Sequence, residues 1–175
     1  KHELCGLVAR TSGPALYTAS AIANEFDIPG VSENIVPLAT EKSKLREFCE
    51  NNGIIMPKGK KVSHYENFTH NLRMPLIVKP DLPLVGKKDV RVVRKSSDLK
   101  SAIRTAIRSS DNGFAEIEEF IEGIDVSALF LFSHGKVKIL KYWDELIGLT
   151  SSGNIKAIGV SSPSVIEGEI ESNQI

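Results

Sequence analysis

Pro75-Leu76-Ile77-Val78-Lys79-Pro80 is the stretch on which the fold turns. Its short apolar, partly β-branched run reads as a buried strand that ends on a lysine, and the proline after it withdraws a ladder donor. Toward the C-terminus, residues 80–89 are loop by composition, and Val90-Arg91-Val92-Val93 has the β-branched content of a second strand. The spacing of Leu99, Ala102, Ile103, Ala106 and Ile107 then predicts an amphipathic helix, capped by Ser96 or Ser97 and ended by Asn112-Gly113. Residues 114–120 and 126–132 read as strands. Ser133-His134-Gly135 turns into a third at residues 137–142, so an antiparallel sheet is expected. From Thr150 onward serine and glycine become frequent, and the region reads as irregular or as a strand severed from its neighbours.

Toward the N-terminus, Ser63 reads as the cap of a short helix with Tyr65, Phe68 and Leu72 on one side. Residues 41–51 predict a helix with Leu45, Phe48 and Cys49 on one face, Thr40 as N-cap and Gly53 as its stop, with a new lobe from about Ile54. The opening reads as half of a βαβ unit. A strand at residues 5–9 is followed by a helix begun at Gly13-Pro14, carrying Leu16, Ala19, Ile22, Ala23 and Phe26, and broken by Asp27-Ile28-Pro29-Gly30.

Twenty-two basic residues balance 22 acidic ones, so no overall field draws the chain to nucleic acid or an anionic membrane. Any bound anion must be held by local geometry. Cys5 and Cys49 form no CxxC pair, which points away from zinc or a disulfide framework and toward a reducing, cytoplasmic setting. No apolar stretch reaches membrane-spanning length. Lys1-His2-Glu3 is neither a signal peptide nor a natural start, and the polar residues 171–175 close no element, so the chain is expected to be cut at one or both ends.

An ordered series carries the functional reading: Glu41-Lys42, Asn52-Gly53-Ile54-Ile55-Met56-Pro57, Pro75 to Pro80, Val90 to Val93, a helix, then Glu118-Glu119-Phe120-Ile121-Glu122-Gly123 and Asp125-Val126-Ser127. In this order the chain resembles the ATP-grasp superfamily, and looks most like its carbamoyl-phosphate synthetase large-chain and amino-acid ligase branch. The resemblance implies an α/β (α+β) fold. Residues 1–38 would end a Rossmann-like preceding domain, residues 39–150 would form a nucleotide-binding lobe of antiparallel sheet flanked by helices, and residues 151–175 a truncated or irregular tail.

The resemblance assigns Lys42 and Lys79 to the α- and β-phosphates of ATP. Ammonium groups delivered from two elements can clamp a polyphosphate as point charges, without planar bidentate geometry. Taken singly, Lys42 reads as a solvated helix residue and Lys79 as a snorkelling strand-end lysine. In register they read as the clamp. Between Lys79 and Val90 the family carries a glycine-rich flap, because backbone N–H groups reach an anion where side chains do not block them. This sequence departs from that pattern with Asp81-Leu82-Pro83-Leu84-Val85-Gly86-Lys87-Lys88-Asp89. Gly86, Lys87 and Lys88 remain candidates, a solvated hairpin tip being an equal reading for the lysines. The loop is expected to be mobile without nucleotide, and Gly86-Lys87-Lys88 is no Walker loop.

Adenine offers one donor and one acceptor edge, which a strand end can read with a carbonyl and an N–H. By resemblance, Phe120 and Ile121 supply that linker, Glu118 or its carbonyl meets the amine, Ile77 packs on the ring and Asp125 meets the ribose. The plain alternative makes Glu118, Glu119 and Glu122 surface acids. The family's Mg²⁺ ligands lie beyond the adenine run and are expected outside this chain. Glu167, Glu169 and Glu171 read as a polar tail, and no metal residue is assigned. His2, His64, His70 and His134 have no ligand spacing, Ser161-Ser162-Pro163-Ser164 lacks a nucleophile-elbow context, and Trp143 reads as core or lobe interface.

The expected function is the ATP-binding portion of an ATP-dependent carboxylate–amine type ligase, which activates a carboxylate as an acyl phosphate for attack by an amine. The piece alone is expected to be inactive. Its partners are ATP and a small carboxylate, with no nucleic acid and no membrane. The alternatives are a non-catalytic ATP-grasp-like interaction module and a biotin-dependent carboxylase subunit.

Overall fold

The apolar stripe of the predicted central helix has a sheet to bury itself against. In the computed structural model, which describes residues 4–11, 13–65, 71–84, 86–133 and 135–167, the chain forms two units, residues 1–120 and 121–175. The division falls inside the Glu118 to Gly123 run rather than near Ile54. The short helix expected after Ser63 includes residues 66–70, and Glu169, Glu171, His2, His70 and His134 likewise lie outside the described residues.

The first unit contains α1 (Ala15–Glu25), α2 (Val36–Thr40), α3 (Lys42–Asn51), β1 (Gly59–Val62), β2 (Leu76–Pro80), β3 (Arg91–Val93), α4 (Ser96–Arg108) and β4 (Ala115–Glu119). The strands form one antiparallel sheet in the order β1-β4-β2-β3. Because side chains alternate along a strand, the sheet has two distinct faces. Leu76, Val78, Ala115 and Ile117 join Leu99, Ala102, Ile103 and Ala106 of α4 in one buried cluster. Fully burying a side chain such as Ile103 contributes roughly 1.5–3 kcal/mol. The other face carries the cross-strand neighbours Ile77 and Glu118, Lys79 and Glu116, Lys61 and Glu116. β4 lies between two strands, so even its acids Glu116 and Glu118 are buried.

Several local expectations are corrected. No strand forms at residues 5–9, where the backbone bond from Leu7 N–H to Pro29 O (2.7 Å) is found and no described strand lies alongside. α1 buries Ala19, Ser20 and Ala23, while Ile22 and Phe26 stay exposed. The inward residues of α3 are Arg46 and Cys49, with Leu45 and Phe48 partly exposed. Thr40 does not cap α3. It ends α2, and its hydroxyl donates to Val36 O at 2.8 Å. Neither Ser96 nor Ser97 caps α4, whose N-cap position is Lys95 with no side-chain cap. Gly53 does end α3: its φ of 67° lets Ile54 N–H return to Cys49 O at 2.9 Å.

The second unit is an antiparallel meander of β5 (Val126–Ser133), β6 (Lys136–Leu149) and β7 (Ile155–Ser161). The region expected to be irregular therefore contains a paired strand, since β7 runs along β6. The serines and glycine that obscured it belong to its turn, where Thr150 N–H bonds Asn154 O at 2.9 Å and Gly153 takes a φ of 81°. Asp144 is buried and accepts from Ser164 Oγ at 2.5 Å and Val165 N–H at 3.1 Å, which ties the segment after β7 back to β6. No helix among the described residues is long and apolar enough to cross a membrane.

Candidate functional site

Lys42 opens α3 and Lys79 lies near the end of β2. The sheet holds Lys79 beside Glu116 and two register positions from Glu118, on the face that α3 covers with Arg46. The Lys79 ammonium is ion-paired to Glu118. The other oxygen of Glu118 accepts from Arg46 Nη2 at 2.9 Å, Arg46 Nε pairs with Glu116, and Nη1 reaches Pro57 O at 2.7 Å. Two buried acids on a central strand would be costly alone, and one guanidinium with its planar fork compensates both.

The network sets its members' charges. Burial opposes the charged Arg46, but its hydrogen bond to Glu116 and the negative charges of Glu116, Glu118 and Glu50 together outweigh this and hold the guanidinium above its ordinary range. Burial pushes the Glu116 carboxyl up, against the pull of Arg46, and its Oε2 has no hydrogen-bond partner among the described residues. Lys42 is held below the usual lysine range, first by burial and then by the positive charge of Lys79, with Asp81, Glu118 and Glu116 pulling the other way. Its ammonium reaches Asp81 O at 3.5 Å and forms no ion pair with a carboxylate among the described residues.

A cavity of about 260 Å³ opens beside this lysine, lined by Glu41, Lys42, Leu45, Pro83, Leu84 and Gly86 among others. Gly86 of the proline-interrupted loop thus meets Lys42. Lys88 instead lines a separate cavity with Arg108 and Asp111. The loop is tethered at its ends: Leu82 N–H bonds Ser110 Oγ at 3.0 Å, Asp111 N–H bonds Leu82 O at 2.9 Å, and Ser109 Oγ donates to Asp89. Asp81 is no flap residue at all, being fully buried.

Ile77 is half-buried on the face that carries Lys79. Phe120 is half-buried just past β4, its N–H donated to Pro75 O at 2.9 Å and its ring 6.0 Å from the Arg94 guanidinium. In the second unit Ile121 is 67% exposed, and its N–H makes no backbone hydrogen bond among the described residues. Asp125 is exposed, with its carbonyl taken by Glu145 N–H at 2.7 Å.

Sequence reasoning missed Arg46, Asp81 and Gly59. A Cβ on Gly59 would lie 2.5 Å from Arg46 Nη2 and 2.6 Å from Ile117 O, so glycine is what lets the guanidinium reach the acids. Asp81 could have been found as an acid directly after the Lys79-Pro80 strand end.

The fold that carries this face is shared with known proteins. Residues 39–174 match the ATP-grasp domain. The chain belongs to the ATP-grasp family. Over 132 residues it is 28% identical to the carbamoyl phosphate synthase large chain of Campylobacter jejuni, a match that spans 71% of this chain and 12% of that protein. The VanG D-Ala:D-Ser ligase of Enterococcus faecalis shares the fold with a TM-score of 0.74 at 20% identity, covering 93% of this chain and 51% of that one. An L-amino acid ligase from Bacillus licheniformis does so at 0.63 and 23% identity, covering 88% and 32%. The ATP-grasp match begins within α2, so Lys42, Lys79 and Glu118 fall inside the domain and α1 precedes it.

Proposed function

We propose that the chain is the ATP-binding portion of a ligase that converts a carboxylate into an acyl phosphate, which an amine or similar nucleophile then displaces. The observation that carries this reading is the Lys42–Lys79 arrangement. Lys42 is a half-buried ammonium with no carboxylate ion pair among the described residues, and it is destabilised by a second lysine. A polyphosphate relieves both burdens at once, giving Lys42 an opposite charge and offsetting its repulsion by Lys79.

In this reading Lys42 and Lys79 hold the α- and β-phosphates, and Lys79 exchanges its contact with Glu118 for the nucleotide. Gly86 contributes open backbone beside Lys42, with Lys87 and Lys88 as further cations of the same loop. Because Arg46 keeps hold of the Glu118 carboxylate, the adenine amine falls to backbone carbonyls of the Glu118 to Phe120 run, with Ile77 packing on the base. For Ile121 and Asp125 we retain the roles of backbone donor to the adenine ring and acceptor for the ribose hydroxyls. Magnesium bound between the phosphates would neutralise charge during phosphoryl transfer. No cluster of three or more His, Cys, Asp or Glu among the described residues is arranged to hold an ion.

The test is to supply the protein, at its full natural length, with ATP, Mg²⁺ and a panel of small carboxylates, and to trap acyl phosphate with hydroxylamine. Carboxylate-dependent ADP release with hydroxamate formation, silent in Lys79→Ala, supports the reading. ADP release independent of every carboxylate, or none, contradicts it. A single observation favours a non-catalytic ATP-grasp-like interaction module instead, the loop with one glycine. That reading gives no ADP with any carboxylate.

A further inference from the structure

We propose that Asp81 is a positioning residue for the phosphate site: its buried carboxylate caps α3 from a distance and thereby fixes Lys42 against Lys79. This rests on the reading of Lys42 and Lys79 as phosphate ligands. α3 has no side-chain cap of its own, since the Glu41 side chain at its N-cap makes no capping bond. Asp81 supplies one across 38 residues of sequence. Its Oδ1 accepts from Ser43 N–H at 2.7 Å, and its Oδ2 accepts from Ser43 Oγ at 2.8 Å. Its carbonyl accepts from Lys42 N–H at 3.2 Å and Lys42 Nζ at 3.5 Å.

The remaining contacts tie the same residue to the sheet. Asn112 Nδ2 donates to Oδ2 at 2.8 Å, Lys61 Nζ lies 3.5 Å from Oδ2, and the Asp81 N–H bonds Phe114 O at 3.0 Å. Asp81 follows Lys79 by two residues along the same strand end. One fully buried side chain therefore joins the segment bearing one phosphate lysine to the helix turn bearing the other. The arrangement also has a chemical consequence. The first N–H groups of α3, which at many helix starts would receive an anion, are already taken by Asp81, so phosphate recognition falls to the two ammonium groups.

The experiment follows Lys42 as well as the nucleotide. ATP binding is measured by calorimetry for Asp81→Asn and Ser43→Ala, each alone and combined with Lys42→Ala. The titration of Lys42 is followed by ¹³Cε NMR. The charged groups that bear on Lys42 are Lys79, Asp81, Glu118 and Glu116. Asp81→Asn should weaken ATP about tenfold or more, the scale of a disrupted charge-assisted hydrogen bond, and should have little further effect once Lys42 is alanine. Ser43→Ala, which leaves Asp81 in place, should act in the same direction with a smaller loss, and it carries the test if Asp81→Asn does not fold. Loss of the Asp81 charge should move the Lys42 titration to lower pH. Undiminished binding, equal losses with and without Lys42, or an unmoved Lys42 titration would each overturn the proposal. A protein that binds no ATP refutes the nucleotide reading alone, and the Lys42 titration then decides the positioning claim.

Discussion

Lys79 and Glu118 are ion-paired across adjacent antiparallel strands, the ammonium taking one carboxylate oxygen while Arg46 holds the other. The pair couples the phosphate ligand to the buried network beneath it, and it separates what nucleotide binding needs from what folding needs. Removing Lys79 leaves Glu118 its guanidinium partner.

Lys79→Ala should therefore abolish nucleotide binding while keeping the fold. The lysine side chain is 22% exposed, and a screened pair of this kind contributes about 1 kcal/mol at most, or roughly 2–4 °C in Tm. Circular dichroism melts beside nucleotide titration check this. Unfolding at ordinary temperature would make Lys79 structural instead.

Arg46→Met should be the more damaging change although Arg46 touches no nucleotide. It strands Glu116 in the sheet and leaves Glu118 only Lys79, and breaking a buried pair in this way costs about 3–5 kcal/mol. Adding Glu116→Gln should restore part of the loss, because the stranded charge is removed. Urea unfolding of the single and double variants measures the coupling, and a double variant no more stable than Arg46→Met would contradict the network.

The acid limb of stability should report Asp81. Burial opposes its charge, but the Ser43 N–H, Asn112 and the Ser43 hydroxyl outweigh burial and hold its carboxyl below the ordinary value of 3.8. A carboxylate depressed in the folded state adds stability above its unfolded pKa and loses it as pH falls through the folded one. Unfolding free energy should thus decline below about pH 4, and Asp81→Asn should flatten that decline. Parallel acid limbs in the two proteins would contradict the assignment.

How far the sequence alone led is plain from these residues. The α4 stripe and the Leu76 to Lys79 strand were legible because apolar periodicity is a local signal that the core then uses. Arg46 was not, since it sits in a run of charged helix residues where an inward guanidinium looks like a solvated one. Asp81 was read as loop because its partners, Ser43 and Asn112, are distant in sequence. β7 was hidden by a turn rich in serine and glycine. For Arg46 and Asp81 the deciding contact is long-range, and composition does not encode it.

The loop after Asp81 should be uneven in its motion. Leu82 is tied to Ser110 and Asp111, whereas the N–H groups of Gly86 and Lys88 have no backbone partner among the described residues. Hydrogen exchange should be fast at Gly86 and Lys88 and slow at Leu82 and along Leu99 to Ile107, where the helix is buried. Protection of Gly86 equal to that of Ile103 would contradict this.

The most direct measurement of the central claim is calorimetric titration of this chain with ATP, in the unaltered sequence and in Lys42→Ala/Lys79→Ala. The account predicts saturable binding of modest affinity that is lost in the double variant while its melting transition persists. Equal binding by both proteins would show that the two lysines do not hold the phosphates, and binding by neither would show that this face of the sheet is not a nucleotide site.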